Sequence, residues 1–557
     1  MLFMRVTRVF VLLIFALTIS VVNAQLPEIV RNGNAYQLTV NGKPFLMRAG
    51  ELGNSAASTA EWLRTKVWKQ LQEANINTAL VPIYWDLLEP EENKFDFTLV
   101  DSVITGARKH NMKVVFLWFG AWKNSMSCYA PSWVKRNTQR FPRTEDKNGR
   151  KQEILSPYSS ENLKADKKAF TTLMSHIKSY DKSQTVIMIQ VENEIAMLPD
   201  ARDYSKTATQ VWKSTVPTTL TEYLRQHCNT LTPHVKQYWS GKVSGTWSEL
   251  FGDDEYSEEI FTAWSFAVYA NEIAKAGRSV YKLPMYVNCA LNRPNRKPGE
   301  YPSGGPLPHL IDIWKAAAPD IQMLSPDIYF GDFKKWTESY HRDDNPFFIP
   351  EHQYDATAGA KALYTFGEYH GLGFSPFAVE TKQANFTPPV LGVTIDVEAE
   401  KQKHSKSVTI PSAYNIVRCI EKEIVAANGT NRMRAVLLDS LHQADTLAIG
   451  GYQIIARHDN LLGWTPQSKQ SGWSTNSVII ICTDKDQFLV AGTGVVLTFK
   501  TMTPDKTSAG ILRIEDIATD GSGRVLRILN GDENHQGRHV RITDGEWGIQ
   551  RFSLYEY

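Results

Sequence analysis

The chain has 557 residues, of which 42% are hydrophobic, and its 61 basic and 59 acidic residues leave a formal net charge of +2. Nucleic acid and anionic membranes both need a basic surface, so this balance argues against either of them as a partner. The five cysteines show neither a disulfide framework nor metal-ligand spacing. Stability must therefore come from core burial, which a chain of this length can supply.

The first 24 residues have the pattern of a secretory signal. Arg5 and Arg8 give a positive start, 9–22 form a short apolar segment, and Asn23-Ala24 ends a small-residue cleavage site. The apolar segment is too short to span a membrane comfortably. We therefore expect cleavage after Ala24 and a secreted or periplasmic protein, with no membrane span after cleavage.

The region 25–390 is predicted to be an α/β domain. Two Asn-Gly pairs, at 32–33 and 41–42, flank an alternating segment and indicate a hairpin. Strand and helix patterns then alternate eight times, which predicts a (β/α)8 TIM barrel. A doubly wound fold is disfavoured because no Gly-rich phosphate turn follows the first strand. The eight predicted strands are 45–51, 77–84, 113–119, 185–191, 284–289, 321–329, 347–350 and 371–379.

After the predicted barrel, the alternation of strands and helices gives way to a helix and then short strands. Residues 391–430 are predicted to be a linker and a helix, and 431–557 a smaller all-β sandwich. Its predicted strands are 434–438, 452–457, 477–482, 488–499, 511–517 and 539–542. Structural support and sugar binding are both open as roles for this domain.

Carboxylates follow two of the predicted barrel strands. The apolar run 186–189 leads into Glu192, Asn193 and Glu194, and a second apolar run leads into Glu351. Barrel enzymes keep their chemistry at these strand ends, and glycosidic bond cleavage needs one carboxylic acid and one carboxylate. Glu192 and Glu194 alternate along an extended chain, so the residues alone leave open which of them is the acid. The same segment is also compatible with a solvated turn that enters a helix.

The segments IQVENE and FFIPEH resemble the clan of retaining barrel glycosidases. This resemblance implies that Glu194 is the acid/base, that Glu351 is the nucleophile, and that Asn193 holds the sugar 2-hydroxyl. Within the clan, QVENE, VPIYWDLLEPEENKFDF and LSPDIY resemble glycoside hydrolase family 35, the β-galactosidases. That resemblance implies that Tyr329 lies against the nucleophile.

The chain departs from the family-35 pattern where the family grips sugar hydroxyls. Pro82 and Leu88 stand where better-known branches have Tyr and His, and Glu51-Leu52-Gly53-Asn54 replaces their Phe-His-Tyr signature. For Glu89, which precedes a proline, a structural role is as plausible as a binding role. The candidate substrate-binding residues are Asn193, Glu192, Tyr329, Glu51, Asn54, Trp85 and Trp118.

These patterns predict a retaining exo-β-glycosidase, most specifically a β-galactosidase, that acts on oligosaccharides or polysaccharides. No HExxH spacing and no Gly-x-Ser-x-Gly elbow is present, so we expect no metal or other cofactor and no esterase. Two alternatives remain open. One is the same mechanism on a β-glucoside or α-L-arabinopyranoside, and the other is a non-catalytic carbohydrate-binding protein. The oligomeric state is not predicted.

Overall fold

The structure is a computed structural model that describes residues 25–381, 408–462 and 473–557. The predicted signal at 1–24 lies outside the described residues, as do the end of the predicted barrel region and the first part of the predicted linker. Export and cleavage after Ala24 therefore stay predictions.

A three-stranded antiparallel sheet precedes the barrel. Its strands are β1 (Glu28–Asn32), β2 (Ala35–Val40) and β3 (Lys43–Pro44). Asn41 and Gly42 both have positive φ, 53° and 71°, as a two-residue type I′ hairpin turn requires. The predicted hairpin is confirmed.

The other turn of this sheet contacts a distant part of the chain. The side chain of Asn32 donates to the backbone oxygen of Asn428 at 3.0 Å, and the backbone N–H of Asn34 donates to Gly429 at 3.1 Å. A Cβ on Gly33 would lie 2.0 Å from the Gly429 oxygen, so the approach requires glycine. We call 32–34 with 428–429 the clasp.

Eight parallel strands close into the predicted barrel. Nearly every strand residue is buried, because the interior is filled by side chains and the outer face is covered by helices. The barrel strands are β4 (Met47–Glu51), β5 (Thr78–Tyr84), β6 (Lys113–Phe119), β9 (Val186–Gln190), β10 (Met285–Ala290), β11 (Met323–Ile328), β12 (Ile349–His352) and β13 (Gly373–Pro376). A short hairpin of β7 (Arg143–Glu145) and β8 (Lys151–Leu155) lies in the connection before β9.

The helices around the barrel follow their apolar stripes. In the helix Thr98–Lys109, Val100, Val103, Ile104 and Ala107 are buried at helical spacing. No described helix is long and apolar enough to cross a membrane. The helices are α1 (Ala60–Trp62), continued by a π-helical turn (Leu63–Val67) into α2 (Trp68–Glu73), then α3 (Trp85–Leu88), α4 (Thr98–Lys109), α5 (Ser132–Arg136), α6 (Ser160–Tyr180), α7 (Lys206–Trp212), α8 (Thr218–Gln226), α9 (Pro233–Tyr238), α10 (Trp247–Phe251), α11 (Glu255–Val280), α12 (Ile311–Ala317), α13 (Phe333–Tyr340), α14 (Ala358–Glu368), α15 (Ile410–Cys419) and α16 (Glu421–Ala427).

The C-terminal domain consists of two antiparallel sheets, which confirms the predicted β domain. The predicted strand 488–499 is two strands in different sheets, Gln487–Thr493 and Val495–Thr501, because Gly494 turns the chain with φ 68°. One sheet contains β14 (Met433–Leu438), β17 (Asn476–Asp484), β18 (Gln487–Thr493), β20 (Ala509–Ile517), β21 (Val525–Ile528) and β23 (Gly548–Glu556). The other contains β15 (Ala444–Ile449), β16 (Tyr452–His458), β19 (Val495–Thr501) and β22 (Val540–Ile542).

The hydrophobic core of the barrel continues onto one face of the β domain, which also has a second core of its own. A Cβ on Gly367 of α14 would lie 2.7 Å from the side chain of Ala435 in β14, so helix and sheet are in close contact. At the end of α14, the Glu368 carboxylate accepts from Arg434 at 2.7 Å and from the backbone N–H of Ala435 at 3.1 Å. The β domain is therefore packed against the barrel rather than tethered to it.

Candidate active site

Buried polar side chains converge at the carboxyl ends of the barrel strands. A barrel strand keeps apolar residues along its length and presents polar ones only where it opens toward the loops. The converging residues are Glu51 at the end of β4, Asn193 and Glu194 shortly after β9, Asn288 in β10, Asp327 in β11 and Glu351 in β12. This set defines the candidate active site.

Three donors converge on the Glu351 carboxylate. Tyr329 donates its hydroxyl at 2.8 Å, and the amide nitrogens of Asn193 and Asn288 each donate at 3.2 Å. The side chain is only 4% exposed. The three donors engage both carboxylate oxygens of Glu351 and hold the group in one orientation. The predicted position of Tyr329 against Glu351 is found in the structure.

Glu194 has a different environment. Burial, and then the nearby Glu351 carboxylate, raise its pKa to about 7. A carboxylate oxygen of Glu194 lies within 4.8 Å of one of Glu351. Asn124 donates its amide to Glu194, and the backbone N–H of Glu194 donates to Asn288 at 3.0 Å. Glu194 can thus hold a proton near neutral pH, as a general acid must.

Sequence reasoning missed Asn288 and Asp327. The Asn288 amide donates to Asp327 at 2.7 Å as well as to Glu351, so it joins the two groups. Asp327 is buried, and burial together with Glu351 raises its pKa well above the usual range. Each residue is polar near the end of an apolar strand, which is the signal that identified Glu194 and could have identified them.

Glu192 does not face this site, contrary to the prediction that it binds substrate. Its carboxylate accepts from the backbone N–H of Trp122 at 2.8 Å, and burial together with Asp166 of α6 raises its pKa well above the usual value. The reason is backbone conformation. Glu192 and Glu194 have φ of 60° and 46°, so the segment is not extended and its side chains do not alternate.

Trp85 and Trp118 are core residues rather than sugar platforms, which corrects a second prediction. Both are fully buried. The indole N–H of Trp118 donates to Asp166 at 2.9 Å, on the helix side of its strand, and that of Trp85 donates to Glu89 at 3.0 Å. Glu89 also accepts from the backbone N–H of Asn93 at 2.8 Å, so its role is structural.

Glu51 lies inside the site, and its carboxyl group makes no hydrogen bond to the described residues. The side chain is fully buried. Burial, and then Glu351, raise its pKa well above the usual value. Asn54, in the loop that follows, also has a buried side-chain oxygen without a partner in the described parts of the chain. Acceptors left open in this way suit the hydroxyls of a bound sugar.

A lysine that sequence reasoning missed completes the site. The Lys123 ammonium donates to the side-chain oxygen of Asn193 at 2.9 Å and lies near the carboxyl groups of Glu51 and Glu194. It follows β6 by four positions, inside a loop, and no local pattern marks it.

The carboxylates could also hold a cation. Oxygen atoms of Glu194, Asp327 and Glu351 lie within 4.8 Å of one another, and such oxygens are ligands for hard divalent ions. Two of the three are the predicted catalytic pair. The expectation of a metal-independent reaction stays a prediction.

Two family models match parts of the chain. Residues 58–258 match the model of glycoside hydrolase family 42, described as "Beta-galactosidase", and residues 410–541 match a "Domain of unknown function (DUF5597)". Family 42 is a different family from family 35, so the family-35 resemblance is not supported. No curated protein matches the chain.

Three solved structures match the chain at low similarity. A β-galactosidase from the psychrophilic Marinomonas ef1 is 12% identical with a TM-score of 0.44, and the match covers 69% of this chain and 60% of that one. The catalytic domain of a β-amylase from Paenibacillus polymyxa is 13% identical with a TM-score of 0.42, covering 64% and 98%. A β-galactosidase from the Antarctic haloarchaeon Halorubrum lacusprofundi is 17% identical with a TM-score of 0.41, covering 59% and 52%. The chain thus spans about 60% of the length of the Marinomonas enzyme. Over 58–258, therefore, the chain is similar to the β-galactosidases of glycoside hydrolase family 42.

Proposed function

We propose that this protein is a retaining exo-β-glycosidase, most specifically a β-galactosidase that acts on oligosaccharides or polysaccharides. Glu351 attacks the anomeric carbon while Glu194 protonates the departing oxygen, which forms a glycosyl-enzyme. Glu194 then takes a proton from water, and the water displaces Glu351 with net retention.

The observation that carries this proposal is the distance between the two carboxyl groups. Retaining enzymes keep their pair about 5–5.5 Å apart, whereas inverting enzymes need about 6.5–9.5 Å to admit a water molecule. A Glu194 oxygen and a Glu351 oxygen lie within 4.8 Å of each other, which favours direct attack by Glu351. The difference between the two environments supports the assignment of roles.

The function is tested with a panel of nitrophenyl β-glycosides and the chain that lacks residues 1–24. We expect the largest kcat/KM on the β-galactoside, with the β-anomer of the sugar as the first product by NMR. A dominant signal on the β-glucoside or the α-L-arabinopyranoside would keep the mechanism and change the sugar. A folded protein that is silent on this panel and on oligosaccharides, yet binds them, would replace this proposal with the carbohydrate-binding alternative.

The pH dependence of kcat/KM tests the role of Glu194. Its pKa of about 7 means that the general acid holds its proton below neutrality and loses it above. We therefore expect kcat/KM to fall about tenfold per pH unit on the basic side of about pH 7.

Substitution of Asn124 tests whether Glu194 sets the basic limb of the kcat/KM profile. The Asn124 amide stabilises the ionised form of Glu194, so Asn124→Gly is expected to move the basic limb to higher pH. Glycine is the suitable replacement because Asn124 has φ 50°. A limb that stays in place in Asn124→Gly would mean that Glu194 does not set it.

A further inference from the structure

We propose that Lys123 is a positioning residue, which holds the Asn193 amide in the one orientation that presents its N–H groups to Glu351 and to the sugar 2-hydroxyl. This inference rests on the proposed glycosidase function. It concerns how the site is assembled, and it can fail while that function stands.

The orientation of the amide follows from its two neighbours. The Lys123 ammonium can only donate hydrogen bonds, and the Glu351 carboxylate, when ionised, can only accept them. Asn193 lies between them, with its oxygen 2.9 Å from the Lys123 nitrogen and its nitrogen 3.2 Å from a Glu351 oxygen. A flipped amide would set N–H groups against the ammonium and an oxygen against the carboxylate, so both contacts would become repulsive.

The second amide hydrogen is then directed by geometry. One N–H of Asn193 is used by Glu351, and the planar amide fixes where the other points. Glycosidases stabilise the transition state in part through hydrogen bonds to the 2-hydroxyl that strengthen as it forms. A donor whose direction is set in advance contributes more to such a bond than one that must reorient.

The backbone holds Lys123 in register with its partner. Residues 123 and 193 pair as an isolated parallel bridge, with the Asn193 N–H donating to Trp122 at 3.2 Å. The Ser125 N–H donates to the oxygen of Glu194, also at 3.2 Å. The loop after β6 is therefore hydrogen-bonded to both Asn193 and Glu194 through the backbone.

The position of Lys123 is costly for a lysine. The residue is 4% exposed, and its ammonium lies 4.8 Å from the centre of the Phe119 ring. Burying an ammonium is unfavourable unless it is paired. Here its polar surroundings are Asn193 and the carboxyl groups of the active site.

The test compares Lys123→Met on two substrates, the best nitrophenyl β-glycoside of the panel and its 2-deoxy counterpart. Methionine keeps the length of the side chain and removes the donor. We expect kcat/KM to fall about 100-fold on the hydroxylated substrate and less than about threefold on the 2-deoxy substrate, because the lost interaction acts through the 2-hydroxyl. Asn193→Ala is expected to show the same selectivity.

Lys315→Met is the matched control. Lys315 donates to the backbone oxygen of Asp344 on the outside of the barrel, and its replacement is expected to leave both substrates unaffected. Equal losses of Lys123→Met on the two substrates, or no loss, would overturn the inference. If Lys123→Met fails this test while Glu351→Gln is inactive in the same assay, the positioning role is wrong and the proposed glycosidase function still stands.

A crystal structure of Lys123→Met tests the inference without any substrate. We expect the Asn193 amide to rotate away from its 3.2 Å contact with Glu351. An amide that keeps this contact in the absence of Lys123 would overturn the proposed positioning role, whatever the activity assays show.

Discussion

Glu351→Gln is expected to lower kcat by at least about 10⁴-fold, because an amide cannot form the glycosyl-enzyme and no other group takes over a missing nucleophile. Its three donors hold this carboxylate in a fixed orientation within the site. The loss in kcat should be the same for substrates with good and with poor leaving groups. The measurement is kcat on nitrophenyl glycosides that differ in leaving-group acidity, with Glu272→Gln of α11, an outer helix, as the control.

Two further measurements distinguish the loss of the nucleophile from a loss of the folded structure. A 2-fluoro glycoside with a good leaving group is expected to label the wild-type peptide that contains Glu351 and to leave Glu351→Gln unlabelled. The variant is also expected to unfold at the same or a higher temperature, since it removes one negative charge from a buried group that includes Glu51, Glu194 and Asp327. Labelling of another carboxylate in the wild type would exclude Glu351 as nucleophile.

Glu194→Ala is expected to separate substrates by their leaving groups. Glycosides with poor leaving groups need the proton from Glu194, so their kcat/KM should fall about 10³- to 10⁴-fold. Dinitrophenyl glycosides need no protonation and should still form the glycosyl-enzyme. Their turnover is then limited by the second step, where Glu194 acts as the base for water.

Azide provides the decisive measurement on Glu194→Ala. It needs no general base, so it is expected to accelerate turnover of the dinitrophenyl substrate and to give the β-glycosyl azide. The basic limb of the pH profile should disappear in the same variant. Equal losses on good and poor leaving groups, with no response to azide, would show that Glu194 is not the acid/base.

The barrel could be predicted from the sequence because its strands are buried on both faces. Such strands are continuous apolar runs, and the eight predicted runs all correspond to barrel strands within a few residues. The same property hides which face of a strand a side chain occupies. Trp118 was therefore placed toward the substrate, although it points outward to Asp166.

Within the site, sequence reasoning found the groups that end an apolar run and missed those brought in by long-range contacts. Glu194 lies four residues beyond the end of β9, and Glu351 lies near the end of β12. The error on Glu192 came from assuming an extended chain at a position with φ 60°. Lys123 could not be predicted, because its function depends on a backbone pairing with residue 193, seventy positions away.

The clasp has a consequence for the order of folding. Asn32 is made early in synthesis, yet its partner Asn428 is added 396 residues later, after the whole barrel. A contact that closes so long a loop pays its entropic cost before it gains anything, unless the intervening chain is already compact. We therefore expect the barrel to fold before the clasp forms. The docking of the N-terminal hairpin against 428–429 is then a late step of folding.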